Sequence, residues 1–233
     1  MGAVGLRGCR CACAARRGSG AVQPGAALER LPADRARPVR ITLLRHGETD
    51  WNRQRRIQGQ ADVELSDLGR RQARQVAERW KGAPFEAIYS SPLKRAAETA
   101  SIVRADRGID ISFDDRLKEI NCGSWAGLTF AEVAERDPQQ AKRYAAGLDF
   151  RRSATGETSA EVAARSAAAL TEIARQHSGD VLVVTHGYLM QLAISQLIGI
   201  PGFGSSLKTP GNVQHALLRF NGRWLLEGYG LGG

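Results

Sequence analysis

Residues 40–49 read Arg40-Ile41-Thr42-Leu43-Leu44-Arg45-His46-Gly47-Glu48-Thr49. The run 40–45 is mostly apolar, which suits a strand buried on both faces. His46 and Gly47 then sit where that strand ends. Residues 180–185, Asp-Val-Leu-Val-Val-Thr, form a second continuous apolar strand, followed by His186-Gly187 and a helical pattern to about Gly199. In an open α/β sheet, ligands bind beyond the carboxyl ends of the strands. Both histidines are therefore expected at one edge of the sheet. The helix after Gly187 is expected to turn free backbone N–H groups toward the same edge, a ready anion site.

Outward from these strands the pattern alternates. Residues 66–81 predict a helix with Ser66 as N-cap and Ala73, Val76, Ala77 and Trp80 on one face. Residues 86–89 and 110–113 predict short strands. Ser91-Pro92 predicts a helix start, with Ser91 as N-cap and proline at the first helical position. Capping boxes at Thr129/Glu132 and Thr158/Glu161 open two more helices. Asn221-Gly222 predicts the turn of a C-terminal hairpin. The alternation implies a three-layer α/β/α sandwich around a mostly parallel sheet. No internal repeat or second domain is read in residues 39–233. A cap-like insertion is expected at about 126–157.

Composition narrows the function classes. The 233 residues are 42% hydrophobic and 24% charged, which suits a globular protein. No apolar run reaches 18 residues, so no membrane span is expected. The net charge is +9, but residues 1–38 carry seven arginines against Glu29 and Asp34. The modest surplus left for the core suits an enzyme of anionic small molecules and does not require a nucleic acid. The Ala-, Gly- and Arg-rich segment 1–38 lacks a core-building pattern. It is expected to be a disordered basic tail, with a targeting segment, a functional tail and a start codon assigned too early all left open as its origin. A transit peptide fits less well because Ser is scarce. Cys9, Cys11 and Cys13 match no standard zinc spacing. With Cys122 the only other cysteine, the core can form no disulfide, and a cytoplasmic location is expected.

Two histidines, an arginine and a helix N-terminus describe a phosphate pocket, and here a family resemblance emerges. Arg45-His46-Gly47-Glu48-Thr49 with Trp51-Asn52 resembles the signature of the histidine phosphatase superfamily, also called phosphoglycerate-mutase-like. Ile57-Gln58-Gly59, Leu65-Ser66-x-x-Gly69, Ser90-Ser91-Pro92-Leu93-x-Arg95-Ala96-x-x-Thr99-Ala100, Leu117-Lys118-Glu119-Ile120 and Thr185-His186-Gly187 are similar to its later motifs, in the same order. The resemblance spans about Ile41 to Tyr229.

The roles implied by the resemblance agree with the chemistry of the residue types. His46 would attack phosphorus as a neutral imidazole and become a phosphohistidine. Arg45 and Arg95 would fork onto phosphoryl oxygens. Asn52 and Gly187 would complete the phosphate site, and His186 would balance the growing charge. Glu119 would protonate the leaving oxygen and then deprotonate water. No metal or other cofactor is implied. Gln58 could line the pocket or fix its loop. Arg151 or Arg152 is expected to read a second anionic group on the substrate. His177 and His215 read as structural, and Arg55, Arg56, Arg70, Arg71 and Arg74 as solvated charge.

Two features depart from the family pattern. Ala126 stands where relatives often carry an acid, and Thr155-Gly156-Glu157-Thr158 only approximates Pro-x-Gly-Glu-Ser. The cofactor-dependent mutases carry a longer insertion between the acid and the second histidine, and tend to show Gly-Leu-Asn-Lys where this chain has Gly127-Leu128-Thr129-Phe130. The expected activity is thus hydrolysis of small phosphorylated metabolites, with phosphoglycerate mutase as the alternative. A silent binding protein on this fold is a remoter one. Neither a nucleic-acid nor a membrane partner is expected, and homodimerisation is left open.

Overall fold

The computed structural model describes residues 38–202 and 206–232. The basic segment and its cysteine triplet lie outside the described residues, except for Pro38. In chain order the elements are β1 (Val39–Arg45), α1 (Asp50–Arg53), α2 (Asp67–Arg79), β2 (Phe85–Ser90), α3 (Lys94–Arg104), β3 (Ile111–Phe113), α4 (Phe130–Arg136), α5 (Pro138–Ala145), α6 (Ser159–Gln176), β4 (Asp180–Thr185), α7 (Gly187–Ile198), β5 (His215–Phe220) and β6 (Trp224–Leu231).

The strands form one mixed sheet in the order β3-β2-β4-β1-β5-β6. The first four are parallel, and β5 and β6 add an antiparallel hairpin. The two-residue alternation of each central strand feeds two cores. Ile41, Leu43, Val181 and Val183 pack into the core on the α6 and α7 side. Leu44, Leu182 and Val184 face the opposite way, onto Val76 of α2 and Ala96, Ala100 and Val103 of α3. The chain is thus an α/β sandwich with helices on both faces of the sheet.

Local sequence rules explain most helix starts. Ser66 accepts a hydrogen bond from Gly69 N at the head of α2. Thr129 and Thr158 complete capping boxes with Glu132 and Glu161. One start differs from expectation. Helix α3 begins at Lys94 after Leu93, without a side-chain cap. Ser91 is not its N-cap: its hydroxyl accepts from Leu93 N ahead of the helix and lies 2.8 Å from His186 Nε2. The hairpin also differs in detail: Phe220 pairs with Trp224, so three residues make its turn.

The loop after β1 lies directly on the first turn of α2. Ser66 N donates to Glu48 O at 2.9 Å, and Ser66 Oγ donates to the same oxygen at 3.2 Å. A Cβ on Gly69 would stand 2.1 Å from Glu48 O, and one on Gly47 would stand 2.6 Å from Gly69 O. Two glycines facing each other let the backbones touch, which fixes where His46 emerges. Gly69→Ala is expected to lower stability by about 1–3 kcal/mol through overpacking. Urea unfolding reads this directly, and an unchanged midpoint would remove Gly69 from that role.

Candidate active site

Strands β1 and β4 pair in parallel with Arg45 opposite Thr185. His46 N donates to Thr185 O at 3.0 Å, which carries the ladder one residue past the strand end. His46 and His186 therefore leave the sheet side by side, their ring centroids 5.2 Å apart and tilted by 61°. Strand β2 ends beside them, with Ser91 N donating to Val184 O at 3.0 Å. The two imidazoles are buried, 3% and 0% exposed.

His46 Nδ1 lies 2.7 Å from Gly47 O. A carbonyl oxygen only accepts, so Nδ1 carries the ring proton and Nε2 keeps its lone pair. The His46 carbonyl is itself held by Asn212 Nδ2 at 3.1 Å and Val213 N at 3.4 Å. The neutral form is favoured: burial pushes the pKa of His46 well below its ordinary 6.5, and the Arg95 and Arg45 charges add to that. His186 is pushed down in the same way, first by burial and then by Arg95, His46 and Arg45.

The two arginines are anchored through their backbone partners. Arg95 donates from Nη1 to Ala61 O and from Nη2 to Gly59 O, both at 2.7 Å. Arg45 donates from Nη1 to Pro210 O. In each guanidinium Nε is buried without a partner, as is His186 Nδ1. Burial lowers the pKa of Arg45 and takes that of Arg95 down to about 10, so Arg95 remains a cation at neutral pH. Arg45, His46, Asn52, Gln58, Arg95, Glu119 and Gly187 all line one cavity of about 250 Å³. Among the described residues, no group of three or more His, Cys, Asp or Glu could hold a metal ion.

Asn52 is the third residue of α1, in a capping box with Thr49. Its Oδ1 accepts from Thr49 N, Thr49 Oγ1 and Asn212 Nδ2, which leaves the amide NH2 for the pocket. Gln58 is 9% exposed, with Oε1 buried and unbonded. Gly187 is required by close approach: a Cβ there would stand 2.8 Å from Thr209 Cγ2 and 3.1 Å from Arg45 Nε.

Glu119 corrects one expectation. Two of the N–H groups in the first turn of α7 are not left free for a ligand. Tyr188 N donates to Glu119 Oε2 at 3.2 Å and Leu189 N to Oε1 at 3.0 Å, so the carboxylate caps the helix. Oε1 also accepts from Ile120 N at 3.0 Å. Behind it stands Arg165 of α6, which sequence reasoning missed. Its guanidinium donates to Arg116 O, Lys118 O and Glu119 O, and its fork grips both oxygens of Glu157. Glu157 in turn accepts from Asn121 N. The segment Thr155–Thr158 is thus a brace for the acid loop. Gly156 is obligatory in it, since a Cβ would fall 1.7 Å from Arg152 O.

Of the arginine pair 151/152, only Arg151 is corrected. Arg151 is outside the cavity, donating to Gly156 O and paired with Glu161. Arg152 does line the cavity, but its amino groups are bonded to Phe150 O, Ser159 Oγ and Tyr188 OH. Arg56, read from sequence as solvated charge, is a cavity residue. Its Nη1 donates to Gly127 O at 2.7 Å, tying the first loop to the stretch before α4.

The comparisons with known proteins agree with this geometry. Residues 41–225 match the histidine phosphatase superfamily (branch 1). The chain therefore belongs to that superfamily. A phosphoglycerate mutase-like protein 4 of Arabidopsis thaliana is 41% identical over 151 residues, which is 63% of this chain and 66% of its own length. A probable phosphoglycerate mutase GpmB of Proteus mirabilis is 34% identical over 193 residues, covering 82% of this chain and 90% of its own. Among solved structures, a native mycobacterial glucosyl-3-phosphoglycerate phosphatase is similar with a TM-score of 0.76 and 33% identity, over 84% of this chain and all of its own.

The buried histidines make stability depend on pH. Below about 6.5 the unfolded chain binds protons that folded His46 and His186 refuse. Stability is therefore lost as pH falls from about 6.5 toward their depressed folded values, by up to about 1.4 kcal/mol per pH unit for each histidine. Urea midpoints between pH 7.5 and 5 should fall with a steeper slope in the wild type than in His186→Gln. Equal slopes would contradict the neutral assignment.

Proposed function

We propose that the chain is a phosphomonoester hydrolase that works through phosphorylated His46. The observation that carries this reading is the set of buried, unpartnered donors around a bare imidazole nitrogen. Arg45 Nε, Arg95 Nε and His186 Nδ1 have no protein partner, while His46 Nε2 keeps its lone pair. Buried donors left unpaired are costly, and a tetrahedral oxyanion satisfies them.

His46 Nε2 attacks phosphorus and the P–O bond to the alcohol breaks. Glu119 protonates the departing oxygen from Oε2, which carries a single backbone bond. The negative charge that spreads over the equatorial oxygens is met by Arg45, Arg95 and His186, so the protein supplies the positive charge without a metal. Water then attacks the phosphohistidine, Glu119 takes its proton, and phosphate leaves. Asn52 donates to the phosphoryl group, and Gln58 orients the leaving hydroxyl or the water. Every group comes from one chain, so the site needs no second subunit. The buried free thiol of Cys122 fits a reducing cytoplasm.

Ser91 fixes the tautomer of His186. Leu93 N donates to Ser91 Oγ, which lies 2.8 Å from His186 Nε2, and in this reading the Ser91 proton goes to that nitrogen. The imidazole proton then stays on Nδ1, facing the phosphate. Phosphoglycerate mutase is the second reading, kept because the GpmB relative bears that name.

Incubation with a panel of phosphate esters in EDTA tests the proposal. The panel includes 3-phosphoglycerate with and without catalytic 2,3-bisphosphoglycerate. Phosphate release without isomerisation supports hydrolysis. Bisphosphate-dependent 2-phosphoglycerate would make the protein a mutase. His46→Ala should lose turnover and the acid-labile phosphoenzyme together. Glu119→Gln should slow alkyl esters by about 10²–10⁴-fold. Ser91→Ala should lower kcat with little change in KM, and Ser91→Thr should restore it. A Ser91→Ala variant with wild-type kcat would take that residue out of the mechanism.

A further inference from the structure

Above the phosphate floor the cavity changes character. Its outer wall is made of Ile57, Trp125, Phe130, Tyr144 and Tyr188. Phe130 opens α4 and Tyr144 lies near the end of α5, and their rings stack at 4.9 Å with an interplanar angle of 29°. They nevertheless remain 50% and 43% exposed. Backbone bonds fix the strip just before Phe130: Ile57 N donates to Leu128 O and Gly127 N to Ile57 O, both at 2.8 Å. Phe130 follows directly on that anchored strip.

The cations of this chamber already have partners. Arg56 is bonded to Gly127 O and sits 3.4 Å from Glu132. Arg152 has its amino groups bonded and its guanidinium 4.3 Å above the Phe150 ring, with Tyr144 and Tyr188 beside it. For a carboxylate on the leaving group this leaves the second amino group of Arg56, on a side chain open to water. A ring would need only to cover the aromatic surface that now faces water.

We infer that the preferred substrate is a phosphate monoester of an alcohol bearing an apolar or aromatic ring, and that Phe130 and Tyr144 determine this specificity. The inference rests on the hydrolase reading of the same site. It adds an aromatic reader to the cavity that Arg152 also lines.

Initial rates on 2-phenylethyl phosphate and ethyl phosphate test it. Both are primary alkyl esters with poor leaving groups, so the ratio of their kcat/KM reads ring recognition and not bond strength. The wild type should favour the ring by at least about tenfold, the scale of one apolar group in a pocket. The Phe130→Ala/Tyr144→Ala variant should lose most of that preference, its kcat/KM falling further on 2-phenylethyl phosphate than on ethyl phosphate, with a urea midpoint showing that it folds. Tyr144→Leu, which keeps apolar bulk, should retain part of it. A wild-type ratio near one, a ratio unchanged in the double variant, or 3-phosphoglycerate preferred over 2-phenylethyl phosphate would overturn the inference and leave the hydrolase reading standing. If the wild type hydrolysed neither ester nor any other, the hydrolase reading would fall and this inference with it.

Discussion

The pairing of β1 with β4 is the constraint on which the site depends. Two parallel strands, buried on both faces and aligned so that Arg45 faces Thr185, end at the same level. The hydrogen bond from His46 N to Thr185 O extends the alignment into the loops. Because side chains alternate along a strand, a slip of one residue would exchange the two cores as well as separate the histidines. The apolar contacts that stabilise the sheet and the geometry of the two imidazoles are therefore set by one register.

Around that pair the electrostatics are arranged by burial. Two cations and two imidazoles share a space with little water, and the imidazoles respond by staying neutral. Burial lowers the pKa of both arginines and the Glu119 carboxylate offsets part of that, while Arg95 is anchored to two backbone carbonyls and Arg45 to one. The one carboxylate of the floor, Glu119, is held from two sides. The α7 terminus donates to its oxygens, and Arg165 fixes the backbone that carries it. The site is thus kept by long-range hydrogen bonds between elements that the sheet topology brings together.

Those long-range bonds mark where the sequence stopped being legible. The strands, the capping boxes at Thr129 and Thr158, and the edge at which His46 and His186 meet all follow from local patterns. Ser91 misled because Ser-Pro before a helical run is a sound local reason for an N-cap, whereas the helix starts at Lys94 and the hydroxyl also meets a partner 95 positions away. Arg165 looks like any exposed arginine on an amphipathic helix, and its three carbonyl partners belong to a loop with no periodicity. Arg151 and Arg152 are adjacent in sequence, yet one faces Glu161 and the other an aromatic nest. Arg56 is one of several neighbouring arginines, and only its bond to Gly127 O distinguishes it.

The division of labour in the cavity has a consequence for how such a protein can change. The phosphate floor draws its residues from strand ends and loops scattered along the chain. The two exposed rings of the aromatic wall, Phe130 and Tyr144, come from one contiguous stretch, α4 and α5, which follows a short strip of backbone bonds to Ile57. Backbone anchoring is indifferent to side-chain identity. That stretch is therefore a natural unit of grafting: its surface can be rewritten, or exchanged for another of similar span, while the register of β1 and β4 and the chemistry it sets stay in place.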